Sequence, residues 1–172
     1  MRLFVAAWPP PAVVEQLARL SRPERPGLRW TTEDQWHVTV RFLGEVASVE
    51  VEGVKAALGR LGPGGRVGPV TATAGPALER LGPSVLSLPV AGLDEVAAAV
   101  SDLTAGYGQP VGDRPFRGHL TIARAARGVD PRPPVPVLFA ATWEIAEVTL
   151  VASTLHPAGA RYEVIARYRL GG

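Results

Sequence analysis

The chain has 172 residues, 47% of them hydrophobic, with a formal net charge of +2 and no cysteine. That length suffices for one domain that buries most of its apolar surface without covalent staples, and the missing thiols exclude a disulfide framework, a thiolate metal centre, an iron–sulfur cluster and a cysteine nucleophile together. Seventeen of the 18 basic residues are arginine, Lys55 being the exception; a guanidinium matches phosphate oxygens as a fork, but an Ala-, Gly- and Pro-rich composition makes GC-rich codon usage the simpler cause.

In chain order, residues 2–8 read as an apolar strand that stops at consecutive prolines. The run is too short to cross a bilayer and lacks a signal peptide's h-region length and cleavage site, so a cytoplasmic protein with no membrane partner is expected. "PPPAVVEQLARL" then places Val13, Val14, Leu17 and Leu20 at helical spacing behind prolines, which a helix tolerates at its start. "LRW" is a short strand, and "TTEDQW" a polar connection into a strand that begins at "WHVTVRFLG". Helical spacing returns over 46–60 and ends in "GRLGPGG". Strands are expected at 67–74, 77–81 and 84–91, with Pro69 and Pro89 marking edges. A third helix is expected over 93–105, then a Gly/Pro-rich loop into "GHLTIARAA". The tail reads as two long strands, 142–155 and 161–170, joined by "HPAGA". Strands and helices without regular βαβα alternation predict an α+β fold with mostly antiparallel sheets and helices outside, one domain over 1–172.

Two strands share an unusual feature. His37 and Thr39 in "WHVTVRFLG", and His119 and Thr121 in "GHLTIARAA", repeat one spacing about half a chain apart. Alternation sends each imidazole and its hydroxyl to one face, with Val38, Val40 and Phe42, or Leu120 and Ile122, on the apolar side. Half-chain spacing points to two pseudo-symmetric lobes. If they pair about a pseudo-twofold axis, two imidazoles flank one substrate atom across a central cleft. That layout suits in-line displacement at phosphorus: one imidazole takes a proton from water, the other gives one to the leaving oxygen, and the threonine hydroxyls hold the phosphate oxygens. No metal is required, because imidazoles can exist one protonated and one free near neutral pH.

"WHVTVRFLGE" and "FRGHLTIAR", together with "RLFVAAWPP" and "ARYEVIARYRL" at the two ends, resemble the 2H phosphoesterase superfamily, most closely its RNA 2′,3′-cyclic phosphodiesterase branch, the LigT/ThpR-like "2′–5′ RNA ligases". The resemblance implies a bilobal fold around a cleft and hydrolysis of RNA 2′,3′-cyclic phosphate ends to 2′-phosphomonoesters. It also implies no cofactor, His37 as proton donor to the 3′ oxygen and His119 as proton acceptor from water. Gly118 stands where that branch has proline, so a looser approach to the second strand is expected. A non-catalytic RNA-end-binding module and a ligase running the reaction backwards are the alternatives, and a monomer is expected.

Weaker candidates are Arg41, Arg124 and Tyr162. Arg41 shares the His37 face by parity, where it either reaches a phosphate or base or ends the strand as a solvated charge. Arg124 has the opposite parity to His119, and only the resemblance makes it a substrate contact. Tyr162 either stacks on a base or packs. Phe42 reads as core, Gly44 as the turn after the first motif, and His156, beside a proline, as incidental.

Overall fold

Every residue of β1 (Arg2–Ala7) after Arg2 is buried, because the strand is covered on both faces. Leu3, Val5 and Ala7 enter the main core, while Phe4 and Ala6 join a small second cluster with Val151. Residues 1–65, 67–156 and 159–171 of this computed structural model are described here. Pro11 opens α1 (Pro11–Ala18), where a missing N–H leaves no helical bond unmade, and Val13 and Leu17 bury its inner face. β2 (Leu28–Trp30) and β3 (Val38–Glu45) follow, then α2 (Val51–Gly59), buried through Val51, Val54, Ala57 and Leu58. The second half contains β4 (Val70–Ala74), β5 (Glu79–Leu81), β6 (Val85–Ala91), α3 (Asp94–Leu103) and β7 (His119–Ala125). β8 (Ala141–Ile145), β9 (Glu147–Thr154) and β10 (Arg161–Arg169) complete it.

Strand pairing among the described residues is antiparallel in the order β10-β9-β1-β3-β7-β6-β4-β8, with β2 attached to β7 and β5 to β6. β3 and β7 meet in a single cross-strand pair, Val38↔Leu120. The sheet is thus a four-stranded half, β10-β9-β1-β3, and a six-stranded half built on β7-β6-β4-β8 with β2 and β5, joined where β3 meets β7. In each half a helix links two antiparallel neighbours: α1 lies between β1 and β3, and α3 between β6 and β7. One hydrophobic core runs through both halves, from Leu3 and Val38 to Val90, Leu120 and Trp143. The α+β architecture expected from the sequence is what the chain adopts.

The tail departs from expectation. Instead of one strand over 142–155, the chain breaks at Ala146; β8 pairs with β4 in one half, and β9 with β1 and β10 in the other. Apolar patterning runs straight through the break because both pieces are buried strands, so periodicity carries no sign of it. The turn "HPAGA" lies partly outside the described residues. Among the described residues no helix is long and apolar enough to cross a membrane.

Candidate active site

The Val38↔Leu120 pair puts the two His-x-Thr segments side by side. Continued to its neighbours, that antiparallel register sets His37 across from Thr121 and Thr39 across from His119, a local twofold arrangement. All four side chains line one cleft of about 470 Å³.

Each imidazole is pinned in the same way. His37 Nδ1 lies 2.8 Å from the Gln35 carbonyl oxygen, and His119 Nδ1 lies 2.8 Å from that of Arg117. A carbonyl only accepts, so in both rings Nδ1 carries the proton and Nε2 is the atom left for chemistry. His37 Nε2 is 3.1 Å from the Thr39 hydroxyl oxygen, which donates to it when the ring is neutral. His37 also sits among aromatic rings: Phe4 at 4.8 Å between centroids, Tyr162 at 5.0 Å and edge-on, Trp8 at 5.2 Å. Burial there lowers its pKa from 6.5 to about 4, the Gln35 carbonyl working against the shift and the charges of His119 and Arg124 adding to it.

Strict alternation would put Arg41 beside His37 and bury Phe42, but the structure reverses both. β3 has one extra residue, Val40, between the pairs Ala6↔Thr39 and Val5↔Arg41. A bulge of one residue sends every later side chain to the other face. Arg41 therefore turns inward, 6% exposed, with Nη2 at 3.0, 3.3 and 3.4 Å from the carbonyl oxygens of Gln109, Thr104 and Tyr107. Its expected reach toward a phosphate or base is corrected: Arg41 ties the segment after α3 to β3, and Phe42 faces the cleft. Gly44 is likewise not in a turn but inside β3, at a second bulge with φ +69°, where a Cβ would press on the Gln109 side chain at 2.8 Å.

β7 repeats the device. Ile122 is the extra residue between Ser87↔Thr121 and Leu86↔Ala123, which turns Arg124 onto the face of His119. Burial runs in the same sequence through His37–Phe42 and His119–Arg124, so the internal echo extends five residues past each histidine. That echo in burial pairs Phe42 with Arg124 as cleft residues.

Bulges strip carbonyls of their ladder partners, and Thr31 replaces them here. Its N–H donates to the Ile122 oxygen at 3.0 Å, and its hydroxyl lies 2.8 Å from the carbonyl oxygens of both Thr121 and Ile122. The same hydroxyl accepts the indole N–H of Trp36 at 2.9 Å. Trp36 is buried and directly precedes His37, so this chain of bonds ties one half-site to the other. Thr31→Val is expected to cost about 2 kcal/mol in urea unfolding, because the buried Trp36 indole and the Thr121 carbonyl lose the hydroxyl, while the Ile122 carbonyl keeps the backbone N–H. An unchanged unfolding midpoint would show that the bulge holds without it.

Tyr162 lines the cleft while packing on His37 and Phe4. Arg2, Arg29 and His156 also line it, and nothing local in the sequence marks them. Gly118 does not loosen the approach to β7. Its carbonyl accepts from Val90 N–H at 2.9 Å, and the backbone lies so close that a Cβ would come within 2.3 Å of the Val90 oxygen. Among the described residues no group of three or more His, Asp or Glu side chains gathers as a metal site would.

The sequence pattern described as LigT-like phosphoesterase matches residues 8–67. The RNA 2′,3′-cyclic phosphodiesterase of Thermus thermophilus is 30% identical over an alignment that covers all of this chain and 91% of that protein. Among solved structures, TT0787 of Thermus thermophilus superposes with a TM-score of 0.83 at 30% identity, covering 100% of this chain and 99% of that one. Escherichia coli LigT complexed with 3′-AMP gives a TM-score of 0.78 at 29% identity, covering 98% and 97%. Similarity of sequence and fold extends from one end to the other, and the chain belongs to the LigT-like phosphoesterase family.

Proposed function

We propose that the protein hydrolyses 2′,3′-cyclic phosphate ends of RNA to 2′-phosphomonoesters, using two imidazoles and no metal. The observation that carries this reading is the doubled half-site: two histidines, each pinned through Nδ1 to a carbonyl two residues back, with a threonine beside each, in one cleft. The name of the Thermus thermophilus relative supports the substrate class.

In the proposed reaction His119 Nε2 takes a proton from water as the water oxygen attacks phosphorus. The bond from phosphorus to the 3′ oxygen breaks, and that oxygen takes the proton held on His37 Nε2. The products are a 3′ hydroxyl and a 2′-phosphomonoester, with the proton now on His119. Thr39 and Thr121 hydroxyls donate to the non-bridging oxygens, where charge grows in the transition state. Arg124 faces the same space and offers a fork to the phosphate. Without ligand His37 is neutral at neutral pH; the phosphate anion, placed against it in a site lined by aromatic rings, favours the charged imidazolium and loads the donor.

The test is incubation of an oligonucleotide ending in a 2′,3′-cyclic phosphate with the protein in excess EDTA. Catalytic conversion to the 2′-phosphate is expected. A 3′-phosphate product, or turnover that appears only when metal is added, would overturn the reading.

A further inference from the structure

The two half-sites match in their hydrogen bonds and differ in what surrounds the rings. Both imidazoles are aimed by the same Nδ1 bond to a carbonyl two residues back. His37 is also packed against Phe4, Trp8 and Tyr162, whereas among the described residues no ring lies against His119. Since His119 is aimed without rings, aim is not what the rings at His37 supply. They exclude water, and a dry imidazole resists taking a proton.

Of the three rings, Trp8 is the one set back from the substrate. Phe4 and Tyr162 line the cleft, whereas Trp8 packs on His37 and lines a separate groove of about 480 Å³. Glu144, Glu147 and Arg167 are on the walls of that groove, the last two paired at 3.0 Å. Trp8 therefore stands between the imidazole and two carboxylates, each of which would favour its charged form. On the cleft side His37 is faced by Tyr162, His119 and Arg124, with Arg2, Arg29 and His156 also on the walls. Burial is the main influence against a charged His37, and the charges of His119 and Arg124 add to it. No carboxylate lines the cleft among the described residues, so the indole screens the side from which opposite charge could reach the ring.

Trp8 is held in that position from outside the cleft. Its indole N–H donates to the Thr149 hydroxyl oxygen at 2.7 Å; Thr149 on β9 is 1% exposed, and its own hydroxyl donates to the Ala6 carbonyl oxygen at 3.4 Å. Pro9 follows directly, and a residue before proline is biased toward extended backbone.

We propose that Trp8 is a positioning residue for His37: it closes the ring off from water and from the groove of Glu144 and Glu147, so that the imidazole is charged by the arriving phosphate and not in the free protein. This rests on the reading that His37 gives a proton to the leaving oxygen. The test follows the imidazole rather than the product, so a failed hydrolysis and a failed role for Trp8 give different results.

The measurement is an NMR titration of the histidine ring signals without substrate, the His37 signal being the one absent from His37→Gln. In the wild type that ring is expected to stay neutral until the pH approaches about 4. Trp8→Leu, which admits water and thins the screen, should strengthen proton binding at His37 about tenfold. Trp8→Phe, which keeps an aromatic wall, should stay within about threefold of the wild type, and Thr149→Val, which frees the indole, should shift the same way as Trp8→Leu by less. Inorganic phosphate should raise proton binding at His37 more in the wild type than in Trp8→Leu, because charges act more strongly across a dry site. An unchanged His37 titration in Trp8→Leu, or in Thr149→Val if the leucine variant does not fold, would overturn the proposal. A His37 ring charged as easily in Trp8→Phe as in Trp8→Leu, or an equal phosphate effect in wild type and Trp8→Leu, would overturn it as well.

Discussion

Replacing His37 or His119 with alanine is expected to lower kcat on a 2′,3′-cyclic phosphate end by about 10²–10⁴-fold, the range for loss of a general acid or base. The two losses differ in kind. A 3′ sulfur leaves as a thiolate without needing a proton, so on a substrate with sulfur in place of the 3′ oxygen, His37→Ala should recover most of the wild-type rate while His119→Ala stays impaired. Recovery of His119→Ala instead would reverse the roles of donor and acceptor. The bell-shaped pH profile expected of kcat/KM does not separate the two, because either assignment needs one proton shared between two rings. The leaving-group experiment does, since it removes the need for one proton transfer only.

Acidification should weaken the fold through His37 in particular. The folded protein holds that imidazole at about 4 against an ordinary 6.5, chiefly because the charged form is buried among Phe4, Trp8 and Tyr162. Between those two values the unfolded chain binds the proton and the folded one does not. Stability from this residue is therefore complete above 6.5, falls as pH drops through the window and is gone near 4. A shift of that size corresponds to about 3 kcal/mol. Urea unfolding of the wild type and of His37→Gln, compared from neutral pH down to pH about 4, is the measurement. The glutamine variant lacks the titrating ring, so its stability should fall less over the same range. Parallel curves for the two proteins would show that His37 is not held neutral by the fold. Saturating phosphate should flatten the wild-type curve, because an anion in the cleft opposes the effect of burial on the imidazolium.

How much of this was legible in the sequence depends on whether a feature is local. His119 and Thr121 lie in β7 and Thr39 in β3, with His37 one residue ahead of β3, and two-residue alternation brings all four to the cleft. That alternation fails immediately after each threonine, at Val40 and Ile122, because a bulge is a property of a pair of strands. The extra residue exists only relative to β1 in one case and β6 in the other. Neither site has a glycine or proline to announce it. Arg41 and Phe42 therefore exchanged faces, and Arg124 joined a face that parity denied it. Arg29 is beyond local reading altogether, since only the pairing of β2 with β7 sets it against Arg124. The break at Ala146 was hidden for a related reason: β8 and β9 serve different halves of the sheet, yet each is buried, and hydropathy runs on between them. Residue identity at Gly118 pointed the wrong way, because the close approach of the Val90 carbonyl, invisible in one strand, is what that glycine accommodates.

The twofold relation of the half-sites makes one claim above the others: the two imidazoles act together on one phosphorus. Groups that act as a unit are not additive when removed, because either single loss already disables the concerted step. Single-turnover rates of His37→Ala, His119→Ala and the double variant, measured on one cyclic-phosphate oligonucleotide in excess EDTA, test this most directly. The double variant should be about as slow as the slower single variant. A double variant slowed by the product of the two single losses would mean that the histidines contribute independently, and would contradict a shared reacting centre.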